Sequence, residues 1–106
     1  MPKYLINANY TTSGLDGVRK AGAKSRVDAV AAMLKGMGGQ LESFHFAFGE
    51  TDVFVIAELP DDEAAAAAAV TINASGAVHA RTTKLLTPEQ IDEALRRSVD
   101  YRPPGS

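Results

Sequence analysis

Two side chains suited to acid–base and anion chemistry, His79 and Arg81, stand two residues apart between Ala77 and Leu86. On a β-strand that spacing puts both on one face. An imidazole titrates near neutral pH, so His79 is a candidate general base. A guanidinium offers a planar fork of donors, so Arg81 is a candidate anion clamp. Asp52 follows the turn Gly49-Glu50-Thr51 and is the third candidate catalytic group, a carboxylate. Each has a competing structural role: an interface histidine, an arginine paired with a carboxylate, an aspartate capping a turn. Asn7 and Asn9 offer amides that can orient a substrate or bond across strands. Phe44, Phe46, Phe48 and Phe54 gather around the Gly49 turn.

Other chemistries lack their residues. There is no cysteine, which removes disulfides, thiolate nucleophiles and cysteine-held metals. A metal site would need His45 and His79 to join Asp52 or Glu58. No spacing matches a metal motif, and strand parity sets the two histidines on opposite faces, so no metal is expected. Neither histidine lies on an expected helix, which disfavours haem, and no cofactor is expected. Arg19, Lys20, Lys24 and Arg26 cluster around Gly22, but no glycine-rich loop after a strand supports a phosphate site. A solvated helix face is the better reading. A net charge of -2 gives no electrostatic footprint for nucleic acid. The apolar run from Ala64 to Ile72 is too short for a membrane span. No secretory pattern opens the sequence, and a cytoplasmic location is expected.

The elements that must position these groups follow from periodicity. Tyr4 to Tyr10 alternates and reads as a first strand. Thr11-Thr12-Ser13-Gly14 is a turn in which Ser13 caps a short helix bearing Leu15 and Val18. A longer helix starts at Ser25, with Val27, Val30, Leu34 and Met37 on one stripe, and stops at Gly36, Gly38 and Gly39. Gln40 to Phe48 and Asp52 to Leu59 read as two strands of a hairpin. Pro60-Asp61-Asp62-Glu63 opens an alanine-rich helix that ends at Ser75-Gly76. A fourth strand spans Ala77 to Leu86. Thr87-Pro88-Glu89-Gln90 then starts a terminal helix with a capping box, its stripe carried by Ile91, Ala94 and Leu95. The order is βαββαβ plus a C-terminal helix. That is an α+β, ferredoxin-like domain with a four-stranded antiparallel sheet. The domain is assigned to residues 1–98 and a tail to 99–106.

Parity divides the sheet. Tyr4, Ile6, Ala8, Val53, Val55, Ala57, Val78 and Ala80 suit a face under helices. Leu5, Asn7, Asn9, Phe44, Phe46, Phe48, Phe54, Ile56, His79, Arg81 and Thr83 fall on the other. Such an apolar face needs a cover. A second copy packed face to face is expected, enclosing a cavity for a small ligand. Asn7, Asn9, Phe44, Phe46 and Phe54 are the expected ligand-binding residues.

Several runs resemble the GYD domain family: Met1-Pro2-Lys3-Tyr4-Leu5-Ile6, Gly38 to Phe44, Phe46-Ala47-Phe48-Gly49-Glu50, Asp52-Val53, Leu59-Pro60-Asp61, Ser75-Gly76-Ala77-Val78 and Leu85-Leu86-Thr87-Pro88-Glu89. The likeness runs from Met1 to about Ala94. Gly49 and Asp52 match the Gly, Tyr, Asp signature, while Thr51 stands at the tyrosine. The resemblance implies a bacterial dimeric α/β-barrel protein, akin in architecture to small monooxygenases, lactone isomerases and stress-response barrels. It implies no reaction. The expected function is a homo-oligomer holding a small apolar or aromatic molecule in its sheet-face cavity. The alternatives are a cofactor-independent monooxygenase or isomerase acting on a small enol, quinol or lactone, and a structural assembly module without ligand.

Overall fold

Alternating side chains set the strands, and capping residues set the helices between them. The structure, a computed structural model, describes residues 1–106. It contains β1 (Lys3–Tyr10), α1 (Thr12–Ala21), α2 (Ala23–Gly36), β2 (Gln40–Phe46), β3 (Val53–Glu58), α3 (Asp62–Ala74), β4 (Val78–Leu85) and α4 (Pro88–Leu95). The strands form one sheet in the order β2-β3-β1-β4, and every neighbouring pair is antiparallel. This is the α+β, ferredoxin-like arrangement, with β1 and β3 central and a fourth helix added after β4.

The core lies between the sheet and the helices on one face. Tyr4, Ile6 and Ala8 of β1 and Val53, Val55 and Ala57 of β3 are buried there with Val78, Leu34, Leu59 and Ala65. The alanines of α3 serve close packing: Ala65 and Ala68 are buried, and Asp61 caps the helix by accepting from the Ala64 N–H at 2.8 Å.

The first helix begins differently from expectation. Thr11, not Ser13, is its cap, accepting from the Gly14 N–H at 3.2 Å. The Thr11 hydroxyl also donates to the Gly76 carbonyl at 2.8 Å, tying the helix to the end of α3. Behind it Gly14 is pressed against Ala77, just before β4; a Cβ there would lie 2.0 Å from the Ala77 carbonyl oxygen. Gly22, at φ +91°, breaks the chain between α1 and α2. The second helix therefore starts at Ala23 rather than Ser25.

Strand β2 departs most from simple alternation. Leu41 pairs with Ala57, and Ser43, not Glu42, pairs with Ile56. The bulge at Glu42 adds one residue and turns every later side chain over. Phe44 thus lies opposite Val55 and Phe46 opposite Val53. Both belong to the helix side, with ring centroids 5.1 Å apart. Their expected place on the open face is corrected. His45, opposite Phe54, takes that place, so the two histidines share a face after all.

The hairpin is also looser than expected. Strand pairing ends at Phe46 and Val53, and the loop 47–52 is closed by the Ala47 N–H donating to the Asp52 carbonyl at 2.7 Å. At the other end, α4 carries the expected capping box from Thr87 and Gln90 yet buries no residue. It projects from the domain, and the whole chain extends 56 × 34 × 23 Å. The radius of gyration is 16.9 Å, against about 13 Å for a compact chain of this length. No helix is long and apolar enough to cross a membrane.

Candidate functional site: the open sheet face

The face away from the helices is built as transverse rows. The first row crosses β2, β3, β1 and β4 through His45, Phe54, Asn7 and Arg81. The row beside it runs Ser43, Ile56, Leu5 and Thr83. His79 sits opposite Asn9 at the next step. Opposed residues on one face have Cβ atoms about 5 Å apart, so Asn7 neighbours Arg81 and Asn9 neighbours His79. The structure thus brings together His79, Arg81, Asn7, Asn9 and Phe54 as expected and adds His45. It separates Phe44 and Phe46 from them.

The face is uncovered in a single chain. Phe54 is 41% exposed, while Leu5 and Ile56 are half-buried. Arg81 is exposed and has no carboxylate partner in the chain. An apolar centre flanked by an arginine, two histidines and an amide can hold a flat apolar molecule and address a polar substituent at its rim. His45 and His79 lie on opposite edge strands, three strand spacings or about 14 Å apart across the sheet and two residues apart along it. They cannot share an ion, and no three metal-ligating side chains converge anywhere in the chain.

Asp52 is occupied elsewhere. One carboxylate oxygen accepts the Tyr10 backbone N–H at 3.0 Å. Its own N–H faces Asn9 Oδ1 at 2.9 Å and the Ala8 carbonyl at 3.1 Å. The signature aspartate and Asn9 therefore clasp the loop 47–52 onto β1.

Titration is perturbed chiefly at the sheet ends. Burial, then a hydrogen bond to Asp62 at 2.6 Å, pushes the Tyr4 phenol up to about 12. The same bond, with Lys84, holds Asp62 below the usual carboxylate value. Lys3 is raised by its bond to Glu42, the bulge residue. Burial raises Tyr10, and the nearby Arg26 guanidinium opposes it.

Sequence reasoning missed the concavities on the helix side. A cleft of about 480 Å³ opens on the helix side, with Tyr10 and Arg26 in its wall. A neighbouring one of about 470 Å³ is lined by Phe46 and Phe48 beside the signature loop. Arg26 was visible only as part of a basic cluster, because the cleft forms from segments distant in sequence.

No curated protein and no solved structure matches the chain. The sequence model of the GYD domain matches residues 4–95. That span takes in the sheet from Tyr4 onward and all of α4, and the clasp at Asp52 lies within it: the chain belongs to the GYD domain family.

Proposed function

We propose that the protein is a homo-oligomeric binding module. A second copy covers the open sheet face, and a small apolar or aromatic molecule is held between the two sheets. The observation that carries this reading is the uncovered row His45–Phe54–Asn7–Arg81 beside Leu5 and Ile56. Phe54, with Leu5 and Ile56 beside it, makes an apolar centre rimmed by polar groups, the kind of patch that marks an interaction site.

The size of the face supports a second copy reinforced by α4. Four strands of up to eight residues span a footprint of about 500 Å². A stable interface buries about 800 Å² per partner. The exposed apolar residues Ile91, Leu95, Val99 and Tyr101 supply further area on the projecting C-terminal arm. Glu89 and Asp92 of that arm have no ion pair in the chain, and neither does Arg81. Opposite charges on two uncovered surfaces favour their meeting across a subunit contact.

In this reading Phe54, Leu5 and Ile56 hold the apolar body, and Asn7, His79 and Arg81 address its polar substituent. Fluorescence titration with 2-naphthol tests it. Saturable binding is expected in the native protein, with a loss of at least about ten-fold in Phe54→Asp. Undiminished binding in that variant contradicts the reading. The enzymatic alternative, in which His79 and Arg81 act on a small enol, quinol or lactone, is separated by His79→Ala. That substitution only weakens affinity in a binder and abolishes turnover in an enzyme.

A further inference from the structure

We propose that the helix-side cleft around Tyr10 and Arg26 is a second binding site, one that takes a small monocarboxylate with an apolar body. It lies on the opposite side of the sheet from the open face and does not depend on a second copy.

The cleft has the dimensions of a ligand site. Its volume of about 480 Å³ falls within the usual range of about 300–1,000 Å³. It opens between α1, the start of α2 and the last turn of α3, over the ends of β1 and β4. Gly14 fixes its floor, because only a glycine lets α1 sit this close to Ala77. Val18, Ile72 and Val78 give it apolar walls.

Its charge is one-sided. Arg26 lines the cleft, and no aspartate or glutamate does. Arg26 is half-buried and has no carboxylate partner in the chain. A cation without a counter-charge in a partly apolar cleft favours the entry of an anion. One guanidinium balances one negative charge, and its planar fork matches the two oxygens of a carboxylate. The Tyr10 phenol, close to Arg26, and the Ser25 hydroxyl in the same wall are further donors.

The direction of the apolar body follows from the adjoining cleft. The two concavities share Tyr10 and Val18, and the second is lined by Leu15, Phe46 and Phe48. Asp52 also borders that second cleft. Its charge repels a carboxylate there and favours the orientation with the head at Arg26 and an aromatic body toward the phenylalanines.

Benzoate is the probe, followed by backbone amide NMR shifts on the full chain, with benzyl alcohol and inorganic phosphate as comparisons. Benzoate should shift the amides of Val18, Ser25 and Arg26 saturably. Benzyl alcohol and phosphate should each bind at least about ten-fold more weakly, the loss expected for a charge-assisted pair or a poorer fit. Arg26→Gln should weaken benzoate by a similar factor, and Arg26→Lys by less. Should Arg26→Gln fail to fold, the ligand comparison on the native protein carries the test. Equal binding of benzoate and benzyl alcohol, phosphate binding as tight as benzoate, or unchanged affinity in a folded Arg26→Gln protein overturns the proposal. Shifts confined to Leu5 and Phe54 also overturn it, while supporting a ligand on the open face.

Discussion

Asp52 closes the signature loop onto Tyr10, its carboxylate Oδ2 accepting the Tyr10 backbone N–H at 3.0 Å. The contact joins the end of β1 to the loop between β2 and β3. It also fixes the shared wall of both helix-side clefts, because Tyr10 lines each of them.

Removing that acceptor leaves a partly buried N–H without its partner. Asp52→Ala should therefore destabilise the fold by about 1–3 kcal/mol. Thermal denaturation should show a fall in Tm of several degrees, at about 4–8 °C per kcal/mol for a domain of this size. Asp52→Asn keeps an acceptor oxygen and should lose less. Equal stability of the alanine variant and the native protein would show that the clasp contributes nothing.

Gly14 tests the packing of α1 on the sheet. An added Cβ lies 2.0 Å from the Ala77 carbonyl oxygen, and backbone on both sides must move. Gly14→Ala should cost about 1–3 kcal/mol despite alanine's better helix propensity. Gly17 meets nothing within 4 Å of such a Cβ, so Gly17→Ala should be neutral or slightly stabilising. Chemical denaturation of the two variants reads the contrast, and a stable Gly14→Ala protein would refute the close approach.

Tyr4 and Asp62 give stability a defined pH dependence. The Tyr4 phenol is pushed from 10.0 to about 12. Between those values the unfolded chain releases a proton that the folded chain retains. The contribution is complete below pH 10 and falls as pH rises toward 12. Asp62 is lowered from 3.8, so its contribution is complete above that value and declines as pH drops below it. Tyr4→Phe should flatten the alkaline slope in urea denaturation measured across pH 9–12. An unchanged slope would show that another group causes it.

The central strands were legible because their alternation is unbroken. Tyr4, Ile6 and Ala8 face the core, as do Val53, Val55 and Ala57, and each segment matches a period of two. The capping box at Thr87 and Gln90 was legible because it is local in sequence. Strand β2 was misread because a bulge leaves no period of its own. One signal was present: Leu41 and Phe44 are both apolar yet three apart, so they share a core face only if a residue is inserted between them. The polar pair Glu42-Ser43 marks where. The Arg26 cleft had no such signal, since it arises only when α1, α2 and α3 are packed together.

The C-terminal arm tests one part of the proposed assembly. Leu95 is 77% exposed, and a single domain gains nothing from its side chain. Leu95→Asp should leave domain stability within about 0.5 kcal/mol, as expected of an exposed site. It should weaken subunit association by about ten-fold or more if the arm contributes to the contact. Unchanged association would confine the contact to the sheet face.

Sedimentation velocity of the native protein and of Phe54→Asp, at micromolar concentration, tests the central claim most directly. Covering of the open sheet face by a second copy predicts a native dimer. It also predicts a folded monomer for the variant, because the substitution removes the aromatic centre of the His45–Phe54–Asn7–Arg81 row and sets a charge in its place. A native protein that sediments as a monomer, or a Phe54→Asp variant that remains fully dimeric, would contradict it.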